Sequence, residues 1–586
     1  MRKIHNAFTL LFGIAVWLFY AVFYRHHLHY QEEIQLFLMT NAFFIEMISF
    51  PGGLADYVSC FFTQFFIDSF AGAGCIVLLL ILLQRLVWHT AGHFSKNTDY
   101  YLLSFLPSLA YACCLLDENF LLTALAALII SLSIFVSYLS IHSGLIRRVY
   151  ALLMIPIIYW LAGSVCFVFG GMCLMTEWRE NISKKRLLTF FGVFVGMVCL
   201  LSVIAKYGMR LQYPLIRLAL AGNYYRYPGI IPGLLPVIFS VTLFLPFLIK
   251  LLPKANSRRK RLFILSVQGL LLIGFAGGGL KGYADWEKEE IMAYDYFARM
   301  KKWNIIIRMA DVKSPDTPLS VATLNLALAQ KDYLSNYLFD YFQNGPQGLL
   351  PAFRKEFIAG VMTGEIYYHL GLINTSQRFA FEAMEAIPGY RKSVRCIQRL
   401  AETNLLNGQY EVARKYLYLL KQTFFYRKWA EKTSAYLNDE AQINTHPEWG
   451  ELRRFRPQED FLFSEQEKDM ILGILYLQNN DNKMAYDYLL AYTLLNKDLS
   501  HFSDYYFMNR ENVKDVEAPG YYQQALAFIW YQSGFRPEIR PKGISDDTVH
   551  FLNAFIHASQ SSTDPEKTLY PQFGKTLWYY LLFRHS

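Results

Sequence analysis

Apolar residues in the first 280 positions return in runs long enough to cross a bilayer, and after that the runs stop. A helix needs about 20 apolar residues to traverse the hydrocarbon core. Candidate runs fall at 7–24, 70–88, 101–116, 119–140, 149–175, 187–205, 230–252 and 263–280. From Lys281 to Ser586 the sequence is charged, Tyr-rich and helical in period. The pattern predicts an all-α protein, with a polytopic transmembrane domain over 1–280 and a soluble helical domain over 281–586.

The 149–175 segment sets the number of crossings. It is long for one span and short for two, and Gly163, Gly170 and Gly171 permit a break. Loop charge arbitrates, because cytoplasmic loops of membrane proteins carry an excess of Lys and Arg. With Arg2 and Lys3 inside, Arg147-Arg148 also falls inside after four spans. If 149–175 is a short hairpin, Lys184-Lys185-Arg186 and Arg258-Arg259-Lys260-Arg261 join them. That solution gives about nine crossings and delivers the tail to the outside. The first run ends in Phe23-Tyr24-Arg25-His26-His27, with no small-residue cleavage site, so it reads as a retained first helix.

Two outer loops carry most of the distinctive sequence. The 25–69 loop is apolar at helical spacing on both sides of Pro51-Gly52-Gly53, which predicts amphipathic helices on the membrane face with a sharp turn between them. The 206–229 loop is basic and aromatic, with Lys206, Tyr207, Arg210, Tyr213, Arg217, Tyr224, Tyr225, Arg226 and Tyr227.

In the tail, short turns at 371–374, 407–409 and 479–482 are each followed by a helix opening on an alanine, Ala380, Ala413 or Ala485. The spacing is close to one and two tetratricopeptide periods. A degenerate tetratricopeptide-like α-solenoid over about 353–500 is expected, with a generic helical array as the plainer reading. Either offers a concave surface for a protein partner.

Composition sharpens this picture. Of 586 residues 54% are hydrophobic and 17% aromatic, and the net charge is +9. Much of the positive charge lies in short loops between spans, which argues against nucleic-acid binding. Seven cysteines lie in the membrane half and Cys396 is alone in the tail, so no disulfide closes within the tail and no zinc spacing appears. No phosphate-binding loop, zinc-protease helix or nucleophile elbow is present. His26, His27 and His29 lack a supporting ligand set. The Asn181-Ile-Ser sequon falls on the inner side in this topology.

Paired carboxylates at a bilayer surface can supply a general base or hold a divalent cation. Glu32 and Glu33 follow the first span, and Asp117 and Glu118 occupy the second outer turn. The competing reading is solvated loop charge. Glu46 and Asp56 read as surface residues. Arg210, Arg217 and Arg226 can fork onto a phosphate, or simply anchor their loop among lipid headgroups.

The run from Tyr30-Gln31-Glu32-Glu33 to Pro51-Gly52-Gly53, with its spans and helical-repeat tail, resembles an uncharacterised family of bacterial multi-pass membrane proteins. In layout the chain is also distantly similar to the GT-C membrane glycosyltransferases. That resemblance implies transfer of a sugar from a polyprenyl-phosphate carrier at the outer face. It places the acidic catalytic position at Glu32 or Glu33, a second acidic site at Asp117 and Glu118, and the lipid phosphate at Arg210, Arg217 or Arg226. The first loop has Glu-Glu where that superfamily commonly has Asp-Asp or Asp-Glu. The expected activity is therefore a GT-C-like transferase in a bacterial inner membrane, tail on the periplasmic side. The alternative is a non-enzymatic membrane-anchored scaffold whose repeats bind envelope proteins. A transporter is disfavoured because the spans hold few ionisable groups.

Overall fold

The structure, a computed structural model, describes residues 2–180, 184–209, 211, 214–220, 222–227, 230, 232–457, 467–509 and 517–584. Arg210, Tyr213 and the Asn181 sequon lie outside the described residues. The described chain is helical, and its only strand-like pairing is the isolated bridge between Phe120 and Tyr225. Contacts divide the chain into two compact units. The first is Met1–Glu289 with Pro388–Val394 and Lys421–Arg427, and the second is Glu290–Ile387, Arg395–Leu420 and Lys428–Ser586.

The first unit is built from α1 (Arg2–Leu18, prolonged by a wider turn at Phe19–Phe23), α2 (His26–Glu33), α3 (Asn41–Ile48), α4 (Gly53–Thr63), α5 (Ser69–Phe94), α6 (Leu106–Cys114) and α7 (Thr123–Leu139). It continues through α8 (Gly144–Ala162), α9 (Cys166–Arg179), α10 (Lys184–Val203), α11 (Leu215–Ala219), α12 (Leu234–Leu251) and α13 (Arg258–Tyr283). Six stretches are long and apolar enough to cross a membrane: Lys3–Phe23, Ser69–Phe94, Gly144–Arg179, Lys184–Gly208, Leu234–Leu251 and Arg258–Tyr283. Tyr101–Cys114 and Thr123–Leu139 are shorter apolar helices. Most of α7 is buried among its neighbours, as an interior helix of a bundle would be.

The break in the long 144–179 stretch falls at Gly163, whose φ of 79° is unfavourable for any residue with a Cβ. Beyond it α9 turns back, and Arg147 near the start of α8 meets Glu177 (3.1 Å) and Glu180 near the end of α9. The stretch is a helical hairpin.

Polar contacts sort to the two ends of this bundle. At one end His5 stacks on Tyr101, Arg179 covers the Phe94 ring, and buried Asp99 accepts from Arg261 Nε (2.8 Å) and the Ala255 N–H. At the other end the Tyr24 hydroxyl meets the Leu116 carbonyl and the Asp285 backbone. Between them Thr9 bonds Tyr101 and Tyr20 bonds the Ala112 carbonyl, so α1 and the 101–116 segment run in the same direction.

In the second unit the predicted turns are helix hairpins. Phe357–Leu370 pairs with Ile373–Glu385 around Gly371 (φ 89°), and Val394–Leu406 is followed by Tyr410–Lys421 around Gly408 (φ 73°). Lys468–Gln478 pairs with Lys483–Leu495, where Asn482 caps the Ala485 N–H. Ala380, Ala413 and Ala485 are all buried. A Cβ on Gly360 would lie 2.8 Å from that of Ala383, so small residues set this close helix approach.

Candidate functional site

The second end of the first unit carries a layer of buried polar groups, and α2 is its spine. Seven of the eight residues of α2 are buried, including His26, His27, Glu32 and Glu33. A helix start leaves backbone N–H groups without intrahelical partners. Here the Glu289 carboxylate satisfies two of them, accepting from His26 (2.8 Å) and His27 (2.9 Å). Burial pushes Glu289 up to about 7, and holds His26 down to about 3 and His27 to about 4.

The sequence-nominated glutamates lie inside the protein, with Glu32 4% and Glu33 2% exposed. The Tyr426 hydroxyl donates to Glu32 Oε2 (3.0 Å), and the Ser393 hydroxyl donates to the Glu33 carbonyl (2.6 Å). A cavity of about 10 Å³, the space one water takes, is lined by Glu32, Gln35, Gln64, Thr423, Phe425 and Tyr426 among others.

Asp117 and Glu118 belong to the same layer. Gln31 of α2 reaches the Phe120 carbonyl beside them (3.2 Å). Asp117 accepts from the Tyr225 hydroxyl (2.8 Å) and the Asn119 N–H, and burial raises its carboxyl. Glu118 pairs with Lys288 (2.7 Å). The 222–227 loop lies along this turn, through the Phe120–Tyr225 bridge and the Arg226 N–H to the Asn119 carbonyl (2.8 Å).

Of the three nominated arginines, Arg226 enters the layer. It is 5% exposed, and its Nε has no hydrogen-bond partner among the described residues. Burial lowers it to about 10, and the groups whose charge it feels include Tyr30, Arg391, Cys60 and Glu118. Arg217 is half-buried on α11. Arg210 is outside the described residues.

Asp56 corrects a sequence expectation. Read as a surface residue, it is 3% exposed and its carboxylate is held by donors from several elements. Both its oxygens accept from Arg391 Nη2 (2.8 and 2.6 Å), Thr123 donates to Oδ1 (3.1 Å), and Asn223 donates to Oδ2 (3.0 Å). The glycines before it make this placement feasible. Gly52 has φ 85°, and a Cβ on Gly53 would sit 1.9 Å from the Met47 carbonyl oxygen. Glu46, by contrast, is exposed on α3. Sequence reading also missed Arg391, Tyr426 and Glu289. They sit hundreds of residues from their partners, and no local spacing signals such pairs. Among the described residues no group of three or more His, Cys, Asp or Glu side chains is placed to hold a metal ion.

A family model described as a family of unknown function, DUF6057, matches residues 1–584, and the chain belongs to that family. No curated protein and no solved structure matches it.

Proposed function

We propose that this member of the DUF6057 family is a GT-C-like glycosyltransferase of a bacterial inner membrane. It would move a sugar from a polyprenyl-phosphate carrier to an acceptor on the outer face. The observation that supports this reading is the polar layer at one end of an apolar bundle, in which Glu32 and Arg226 are buried and Asp117 and Glu118 half-buried. In it Glu32 is the base for the acceptor hydroxyl, with Glu33 beside it in sequence. The Tyr426 hydroxyl now occupies the place of that acceptor. The cavity at Glu32 has room for one water and not for a sugar, so the acceptor enters only as Phe424–Tyr426 shifts. Asp117 and Glu118, the second acidic site of this reading, are held in the structure by Tyr225 and Lys288.

The same reading takes nine crossings, with membrane lipids around the bundle and the polar layer and tail on the periplasmic side. The sorting of Arg261, Arg147 and Arg179 to the opposite end agrees with the loop-charge rule.

A second reading draws on the depth of Glu32 and Glu33. They would then be structural, and the protein a membrane-anchored scaffold whose tail, a tetratricopeptide-like solenoid, binds envelope proteins. One experiment separates the two. Surface glycans and lipid-linked sugars are compared by mass spectrometry in a deletion strain restored with wild type or with Glu32→Gln/Glu33→Gln. A sugar missing from the deletion strain and restored only by wild type, at equal protein levels, supports the transferase. Unchanged glycans in the deletion strain reject it in favour of the scaffold.

A further inference from the structure

We propose that α13 carries a site for an anionic phospholipid, with a basic first turn for the headgroup and an apolar groove for an acyl chain. Lys254, Arg258, Arg259, Lys260 and Arg261 fall within one stretch of eight residues. No Asp or Glu occurs between Glu180 and Asp285, so no acidic neighbour in the chain offsets them. The carboxylate that the fold brings to this loop is Asp99, and it is taken by Arg261 and the Ala255 N–H. Lys254, Arg258, Arg259 and Lys260 are exposed and pair with no carboxylate among the described residues. Their place in the helix adds to the imbalance. The N-terminal end of a helix carries partial positive charge, so cations in its first turn are repelled. An anion from outside the chain relieves both repulsions.

The loop before the helix is pinned in place. The Leu252 and Pro253 carbonyls accept from Asn97 (3.3 Å) and the Tyr100 hydroxyl (3.0 Å), and Ser257 caps the Lys260 N–H. Beyond the basic turn, α13 is the least buried of the six membrane-length stretches. Its buried Gln268 donates to the Asp99 carbonyl and accepts from the Leu103 N–H, which holds one face to the bundle. About a quarter-turn around the helix lies an open groove of about 480 Å³, lined by Val267, Leu270, Leu271, Gly274 and Phe275. A Cβ on Gly274 would meet nothing within 4 Å, so the groove is open there. Lys260, Val267 and Gly274 recur at intervals of seven, which places them on one face. Lys260 is about 10 Å nearer the loop than Val267. Clusters of about four to eight basic residues at the end of a membrane helix attract acidic lipid headgroups. A zwitterionic lipid fits the groove but brings its own cation to the turn, and a soluble phosphate leaves the groove empty. The two features together select a lipid of net negative charge. With the orientation proposed above, that lipid belongs to the inner leaflet; the site is otherwise independent of the transferase residues, which lie at the other end of the bundle.

The test uses the full chain, delipidated in a maltoside detergent, with thermal unfolding as the readout. The probes are a diacyl phosphatidylglycerol, the phosphatidylcholine with the same chains, and glycerol 3-phosphate. The phosphatidylglycerol is expected to raise the unfolding midpoint of wild type, and the other two to leave it unchanged. In Arg258→Gln/Arg259→Gln/Lys260→Gln half-maximal stabilisation should need about 100-fold more lipid, as expected for three basic side chains at an acidic surface. Gly274→Leu, which fills the groove and leaves every charge in place, should need about 10-fold more. Lys184→Gln/Lys185→Gln/Arg186→Gln removes as much charge from the start of α10 and should respond like wild type. Absence of any shift, an equal shift by the phosphatidylcholine, or a shift by glycerol 3-phosphate alone overturns the proposal. So does an equal loss in the α10 variant, which would make the attraction diffuse. Should the triple variant at α13 fail to insert, Gly274→Leu decides, and a wild-type response from it overturns the site. No sugar is needed for the readout, so failure of the transferase reading leaves this test intact.

Discussion

At Asp56 a single carboxylate collects donors from Arg391, Thr123 and Asn223. Removing its charge would strand the half-buried Arg391 guanidinium, which costs up to about 3 kcal/mol. Asp56→Asn should therefore lower the unfolding midpoint of the purified chain sharply, while Asp56→Leu/Arg391→Met, which removes both charges, should lower it less. A double variant as unstable as the single one would show that the pair is not the cause. Protonation in the same layer gives a second expectation. Burial keeps His26 and His27 neutral in the folded chain down to about 3 and about 4. Below 6.5 the unfolded chain takes up protons that these imidazoles refuse, so stability is lost as pH falls from 6.5. Glu289, raised to about 7, works in the opposite sense: between 4.5 and 7 the folded state holds a proton that the unfolded state has released. Two imidazoles outweigh one carboxyl. Melting curves should fall from pH 6.5 to pH 5, and more steeply in Glu289→Gln; a shallower fall in that variant would contradict the assignment.

Glycines separate the helices whose geometry is fixed from those merely permitted. Gly371 and Gly408 each close a helix of the second unit with positive φ, where a Cβ costs about 1–2 kcal/mol. A Cβ on Gly371 would also lie 2.7 Å from that of Phe455, whereas Gly408 has nothing nearer than 3.9 Å. Gly371→Ala should thus be the more destabilising in denaturant unfolding, and equal losses would show that backbone strain alone decides. Both turns were legible in the sequence, because a glycine after an apolar helical period is a local signal. So was the break at Gly163 and the turn at Pro51-Gly52-Gly53. The depth of α2 was not legible. Its His-, Gln- and Glu-rich sequence has the composition of a solvated loop, and partners far away in the chain, among them Glu289, Ser393 and Tyr426, make burial tolerable. Asp56 was misread for the same reason: hydrophobic periodicity reports which face is apolar, and is silent about a polar face that finds distant partners.

For the whole molecule, the alternation of helices in the first unit carries a topological expectation. The tail begins where Asp285 meets Tyr24, at the end of the bundle opposite Arg261 and Arg147. A reporter fused after Lys281 should be active only on the outer side of the membrane; activity in the cytoplasm would reject nine crossings. The pair formed by Asp56 and Arg391 has a further consequence, which concerns time. The two residues are 335 positions apart. At about 5–20 residues per second, translation from one to the other takes roughly 17–67 s. Every span after the first is made within that interval, while Asp56 waits without its arginine. A nascent chain that stops short of residue 391 thus carries a carboxylate without its counter-charge where the finished protein has an ion pair, which marks an interrupted copy chemically as incomplete.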